Sequence, residues 1–314
     1  MYGLTLEWVM NRRSVKNKLE QTIGMEDLET SPPISEFRQF TKIFFGRGVV
    51  IFGMAILLAF IIVAIFAPFF APYDPYEPIL GHGLLGPSKD HLLGTDALGR
   101  DTLSRIIYGS RTSLLIGLTV VFAAALIGVS LGLVAGYYGG WVHTFIMRVI
   151  DALMAFPIIL LALVIAALLG GGIKNVFIAL TVGLVPIYAR LMCGQVVTGK
   201  ENDFIMAERS LGASNLRIMV RHLIPNCFPP LIVLMTMMLG ATILAEAGLS
   251  FLGIGVEAPI AAWGSMVSDG RDYLLKAPIL SFAPGVMLML VVFSFNMVGD
   301  GLRDALDPRL RGVL

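Results

Sequence analysis

The residues of this chain that could do chemistry are few and scattered. Glu246 is an acidic residue inside an apolar stretch, preceded by Met235, Met237 and Met238 and followed by Gly248 and Ser250. An acidic side chain at a bilayer centre costs roughly 2.5–3.5 kcal/mol on insertion scales, so Glu246 has to face a bundle interior or a wet cavity. Two roles are open to it. It can line or gate a solute path, where it could also hold an ammonium, or it can fix helix contacts as a neutral or hydrogen-bonded carboxyl. Met238 and its neighbours suit either an adaptable path or plain packing. Gly248-Leu249-Ser250 has the spacing of a nucleophile turn, but no histidine is placed to serve it as base. His82 and His91 fall on one side of the apolar stretches, His143 and His222 on the other. Ser250 therefore reads as helix-packing chemistry, or as a path residue beside Glu246. The H-E-x-x-H pattern is absent, and Asp90, Asp96 and Asp101 do not follow calcium-loop spacing. Gly199-Lys200 is followed by Glu201 and lacks a phosphate loop upstream. The expectation is a chain with no catalytic set, no cofactor site and no metal site of its own.

The elements that must position these residues follow from composition. Of 314 residues 56% are hydrophobic and only 14% charged, with a mean hydropathy of +0.82. So few charges cannot cover a soluble globule. Lys plus Arg is 23 and Asp plus Glu 22, which leaves no basic excess for nucleic acid. An integral membrane protein remains. Six stretches are long and apolar enough to cross a bilayer: Val49–Phe70, Ser113–Tyr137, Phe145–Leu169, Val176–Val197, Phe228–Leu252 and Ile279–Val298. They are too long for barrel strands and lack polar alternation. The expected fold is all-α, with Gly128 and Gly132 as a small-xxx-small packing pair.

Orientation follows from Lys and Arg. With the N-terminus inside, sixteen of these residues fall on the inner side and seven on the outer, so both termini are expected in the cytoplasm. The first 45 residues lack the apolar core of a cleavable signal. Ser35–Phe45 reads either as an amphipathic helix on the inner membrane surface or as part of a soluble tail. Cys193 and Cys227 both fall at or near the inner face, which argues against a disulfide. The long outer loop Ala71–Ser110 places Asp96, Arg100, Asp101 and Arg105 at near-helical spacing, as in a solvated interfacial helix. Contact with a delivering protein is the alternative.

Gly199–Cys227 is a long inner connection with its own pattern. Leu216, Met219, Val220 and Leu223 recur at helical spacing, with Arg217 and Arg221 on another face. Asp203 opens a preceding helix anchored by Phe204, Ile205 and Leu211. Gly212 falls where a turn calls for positive φ, and Pro225 is expected to end the second helix. A protruding helical hairpin with spare apolar residues is either a docking site for a soluble partner or a pair of interfacial helices on lipid.

The run from Asp203 to Ser214, with Arg221-His222-Leu223-Ile224-Pro225-Asn226, resembles the EAA loop of ABC importer permeases. Ala207, Gly212 and Pro225 match, Ile224 replaces a leucine, and Met206-Ala207-Glu208 stands where the family has Glu-Ala-Ala. Leu93–Asp101 with Ser104-Arg105 and Tyr108–Arg111, Gly139-Gly140 with Ala155-Phe156-Pro157, and Glu246–Gly253 with Trp263-Gly264 resemble the dipeptide/oligopeptide/nickel branch. The resemblance implies a type I permease fold. The implied layout has a cytoplasmic tail at 1–48, a transmembrane domain at 49–299 with its coupling loop at 199–227, and a cytoplasmic tail at 300–314. It implies a second homologous permease subunit, an extracytoplasmic binding protein, and two ATPase subunits that bind ATP and Mg. Ala207, Glu208, Gly212, Ala213, Arg217, Ile224 and Pro225 would couple to those ATPases, and Glu246, Met238 and Ser250 would lie on the path. The solute would be a short peptide, nickel chelate, opine or glutathione, moved by alternating access across the bacterial or archaeal cytoplasmic membrane. A secondary transporter or channel is the competing class, and a membrane enzyme a third.

Overall fold

The structure is a computed structural model that describes residues 36–306. The rest of both expected tails lies outside the described residues. The chain divides into a unit at residues 1–42 and a unit at residues 43–314. Helix α1 is Glu36–Phe45, helical as its amphipathic pattern predicts, with Arg38 and Lys42 exposed.

In the larger unit the helices are α2 (Gly48–Ile65), α3 (Ala67–Phe70), α4 (Thr102–Tyr138), α5 (Gly140–Met154), α6 (Ile158–Leu169), α7 (Ile173–Gly199), α8 (Asp203–Ser210), α9 (Asn215–Phe251), α10 (Trp263–Arg271) and α11 (Ile279–Leu306). Five are long and apolar enough to cross a bilayer, and the bent pair α5–α6 makes up to six. The membrane-spanning, all-helical reading holds among the described residues.

The boundaries differ instructively. The first predicted span stops at Ile65, and Pro68 starts the separate turn α3. The third breaks between Met154 and Ile158, where its halves bend by 88°. Pro157 lacks an N–H and its ring pushes Phe156 out of helical geometry. The second span begins at Thr102, because Asp101 caps it by accepting from the Ser104 N–H at 2.8 Å. The last runs to Leu306, past the expected boundary at 299. α4 and α9, at 37 residues each, are roughly 55 Å long. Both therefore exceed the hydrocarbon core of about 30 Å.

The most extensive helix pair is α4 with α7. Gly128, Gly132 and Gly136 form a ridge on α4 at successive turns. A Cβ there would meet Val185 O at 2.6 Å, Ala189 O at 2.3 Å and Cys193 O at 2.9 Å. Backbone rides on backbone, the close approach that small residues permit in lipid. Around this seam, Val120, Ala124, Leu180, Leu184 and Tyr188 build the main apolar core. A second core ties α4 and α7 to the hairpin, and a third joins α2, α4, α9 and α11.

Candidate functional site: a surface hairpin and a buried acid

The hairpin is built from α8, a glycine turn and the first turns of α9. Gly212 has φ +81°. Gly212 N–H donates to Arg209 O at 3.1 Å and Ala213 N–H to Glu208 O at 3.0 Å. This paired closure of the helix end needs a left-handed residue, which glycine supplies without Cβ strain. Ser214 then caps α9, accepting from Arg217 N–H at 3.3 Å.

Pro225 does not end the second helix. Ile218–Leu223 forms one wide π turn, and the helix continues through Pro225, Pro229 and Pro230 to Phe251. Ile224 N–H reaches back five residues to Met219 O. The extra residue in the turn gives room for a ring that would otherwise clash with the carbonyl four residues back. It also shifts the buried face. Ile218, Met219 and Leu223 are buried with Ile205, whereas Leu216 and Val220, predicted to share that face, are exposed. Of the predicted anchors on α8 and its turn, only Ile205 is buried. Phe204 and Leu211 face outward, Leu211 at 84%.

Polar contacts fix the hairpin's base. Tyr137 O–H donates to Asn215 Oδ1 at 2.7 Å, and the Arg209 guanidinium lies 5.8 Å above the Tyr137 ring. Lys200 donates to Gly136 O at 3.2 Å. Glu208 stands 3.6 Å from His222 Nε2, so its nearest partner is within the hairpin. Arg217 is exposed, Ala213 and Ile224 are half-buried, and Ala207 and Pro225 are exposed. None of these long-range contacts has a sequence signal, since each joins residues far apart in the chain. The same holds for the ion pairs Arg190–Asp151, between α7 and α5, and Arg47–Asp304, between α2's entry and α11.

Glu246 is 0% exposed. Its Oε1 accepts from Ser250 O–H at 2.7 Å, and Ser250 Oγ in turn accepts from Val256 N–H at 3.0 Å. Its Oε2 has no hydrogen-bond partner among the described residues. Met238 packs against the main core. A cavity of about 710 Å³ opens nearer the hairpin, between α7, α9 and α11. Met237, Gln195, Asn226 and Arg303 line it; Met238, Glu246 and Ser250 do not. Of the three methionines that precede Glu246 in the sequence, Met237 lines this cavity and Met235 and Met238 do not.

At the far end, residues 71–101 fold over α4 and α10. The Asp96 and Arg100 pair is made in a turn rather than in a solvated helix: Arg100 Nε donates to Asp96 Oδ2 at 2.6 Å. Arg105 Nη1 donates to Pro75 O at 3.1 Å and Pro259 O at 3.4 Å. Asp101, besides capping α4, lies 3.0 Å from His91 Nδ1. His91, Arg100, Asp101 and Arg105 are all buried. Partial desolvation pushes the Asp269 carboxyl above the usual carboxylate range, against the pull of Arg105 and Arg100. Among the described residues no three His, Cys, Asp or Glu side chains converge as a metal site requires.

A helical bundle with up to six crossings, a buried acid in its interior and an apolar hairpin at one end defines a multi-pass membrane protein. Residues 128–312 match the binding-protein-dependent transport system inner membrane component, and residues 35–87 match the N-terminal TM domain of oligopeptide transport permease C. The chain belongs to this family of ABC transporter permease subunits. It is 44% identical to the dipeptide transport system permease protein DppC of Alkalihalophilus pseudofirmus, over 90% of this chain and 91% of that one. It is 41% identical to a putative peptide transport system permease of Brucella suis, over 92% and 96%. It is 40% identical to the glutathione transport system permease protein GsiD of Pectobacterium atrosepticum, over 88% and 92%. In fold it resembles a chain of the inward-facing MetNI methionine ABC transporter, with a TM-score of 0.54 and 19% identity, covering 64% of this chain and 96% of that one.

Proposed function

We propose that this permease subunit moves short peptides across a bacterial or archaeal cytoplasmic membrane, inward and at the expense of ATP hydrolysed by other chains. It pairs with a second homologous permease, receives solute from an extracytoplasmic binding protein, and takes energy from two ATPase subunits that bind ATP and Mg. Both termini and the 199–227 loop face the cytoplasm. The 1–48, 49–299 and 300–314 divisions carry over as tail, transmembrane domain and tail. The names of the relatives support the peptide reading, and lipid surrounds the exposed apolar faces of α2 and α4.

The observation that carries the energy-coupling assignment is the hairpin's surface. Phe204, Leu211, Leu216 and Val220 stay exposed around a turn that Gly212 makes possible and the Gly212 and Ala213 N–H bonds close. A rigid apolar knob suits a groove on a soluble partner. When the ATPases close, the knob moves with them. That motion then passes along α9, which joins the hairpin to Glu246 without a break in the helix from Asn215 to Phe251. Ala207, Glu208, Gly212, Ala213, Arg217, Ile224 and Pro225 shape the knob and its base. Glu246 and Ser250 act at the gate rather than on solute, since the carboxyl is enclosed and Ser250 ties it to Val256, where the chain turns toward α10. Met238 packs behind the path.

The test is uptake of a radiolabelled dipeptide into proteoliposomes holding the four-subunit complex, with binding protein outside. Uptake that requires ATP in the compartment facing the hairpin supports the reading. Dipeptide uptake by this chain without ATPases, driven by an ion gradient, overturns it in favour of a secondary transporter.

A further inference from the structure

Glu246 is not the only ionisable group inside the apolar helices. Arg190 is the one charged residue between Lys174 and Lys200, and Asp151 the one between Arg148 and Lys174. Arg190 lies on α7, nine residues before its end at Gly199, which at 1.5 Å per residue is about 14 Å along an axis of about 40 Å. That depth falls inside a hydrocarbon core of about 30 Å. α7 is long and apolar enough to cross a bilayer, and Asp151 belongs to the bent pair α5–α6 that makes another crossing. Arg190 Nη2 donates to Asp151 Oδ1. Among the described residues neither side chain makes another hydrogen bond, so Asp151 Oδ2 and the guanidinium Nε and Nη1 stay open. The pair is not enclosed by this chain: the two side chains are 54% and 51% exposed. Ionisable groups at such depth face a bundle interior or water rather than lipid. The neighbouring surface of α7 points to water. Arg190 is its first exposed residue after Ile178, and of the four exposed positions that follow, Gly194, Gln195, Val197 and Thr198, three are small or polar. Ile187, Leu191 and Gln195 line the cavity of about 710 Å³, together with Asn226 and Arg303. Arg190 stands one turn on from Ile187, on the same side of the helix.

We propose that Arg190 and Asp151 line the water-filled solute path on its hairpin side and set its indifference to the charge of what passes. The inference rests on the transport reading above. A fixed charge on the wall of a path selects solutes of the opposite sign. Arg190 alone would favour acidic peptides and hold back basic ones, and Asp151 alone would do the reverse. Held together by one hydrogen bond, the two charges cancel at a distance. That suits solutes whose side chains carry either sign. A structural clamp between α5 and α7 is the competing role, and a clamp is blind to the charge of the solute.

The experiment is ATP-driven uptake by the full complex in proteoliposomes, with binding protein outside and alanyl-alanine, alanyl-lysine and alanyl-glutamate as radiolabelled probes below saturation. Uptake of the two charged peptides is divided by that of alanyl-alanine in the same vesicles, so a loss of complex or of coupling cancels. Arg190→Gln should raise the lysine-to-glutamate ratio by about fivefold, the pull of one uncompensated unit charge near contact through water. Asp151→Asn should lower it by a similar factor, and the double variant should return it to the parental value. A second pair of variants leaves the ion pair intact. Gly194 lies one turn on from Arg190, and a Cβ there meets nothing within 4 Å. Gly194→Glu should raise the ratio and Gly194→Arg should lower it. Uptake of all three peptides falling in step, with the ratio unchanged in both single variants, makes the pair a clamp and overturns the proposal. Unshifted ratios in both Gly194 variants overturn it too, because that face of α7 then does not meet the solute. No ATP-dependent uptake of alanyl-alanine by the parental complex removes the transport reading and this inference with it, whereas parental uptake with unshifted ratios removes the inference alone.

Discussion

The two ends of this bundle solve opposite problems. At the far end, ionisable side chains are buried and paired: His91 with Asp101, Arg100 with Asp96, and Arg105 on two backbone carbonyls. At the hairpin end, apolar side chains are exposed and unpaired, with Leu211, Leu216, Val220 and Phe204 outward. Burying charges only makes sense where the surroundings are fixed, because each needs its partners in place. Exposing apolar groups only makes sense where something else covers them. One end is closed within the chain, and the other, on the function proposed, is completed by a partner.

That contrast predicts where a substitution costs stability and where it costs coupling. The largest effect is expected from Asp101→Ala. It removes the cap of α4, the acceptor for Ser104 O–H at 2.7 Å, and the partner of His91. A loss of about 3–5 kcal/mol follows, as for breaking a buried polar cluster, read as a lower melting temperature and reduced membrane abundance. Normal abundance and melting would mean that the far end is not closed by these contacts.

Gly212→Val comes next. A Cβ at Gly212 meets nothing within 4 Å, so the cost comes from φ +81° alone and is about 1–2 kcal/mol. The change acts on the hairpin and leaves the spans intact. The subunit should insert at normal abundance while ATP turnover in the complex becomes uncoupled from uptake. Leu211→Ser with Leu216→Ser should change stability by no more than about 0.5 kcal/mol each, as expected of exposed sites, yet weaken co-purification with the ATPases. Equal co-purification would remove the apolar knob from the interface.

The smallest perturbation addresses orientation. Cys193 and Cys227 are both buried, so their failure to react with a thiol reagent says nothing about sidedness. Single cysteines at exposed positions do. Leu275→Cys, at 103% exposure, should be labelled by an impermeant maleimide on intact cells. Leu211→Cys should react only after the membrane is opened, and the reverse pattern would invert the topology.

How much of this was legible in the sequence depends on the range of the interaction that decides it. The spans were readable because hydrophobic length is a local property, as was the Gly212 turn. The helix break at Phe156-Pro157 carries a proline signal, but the apolar run on both sides hides an 88° bend. Periodicity at 3.6 residues per turn puts Val220 on the hairpin's buried face, and the π turn at Ile218–Leu223 resets that count. Pro225 reads as a stop when considered alone. With one extra residue in the turn before it, the helix accommodates it. The charged run from Asp96 to Arg105 looks like a solvated helix, since nothing local says that Pro75 and Pro259 carbonyls come to meet Arg105. Glu246 was identifiable as unusual, but its seclusion beside Ser250 was not.

The central claim is that this subunit is energised from outside its own chain, through the hairpin. ATP hydrolysis tests it most directly, measured with this chain alone, with the full complex, and with the complex carrying Leu211→Ser and Leu216→Ser. The account predicts no turnover by the chain alone, turnover stimulated by peptide-loaded binding protein in the parental complex, and loss of that stimulation in the variant at equal membrane abundance. Hydrolysis by the purified chain, or full stimulation in the variant complex, would contradict it.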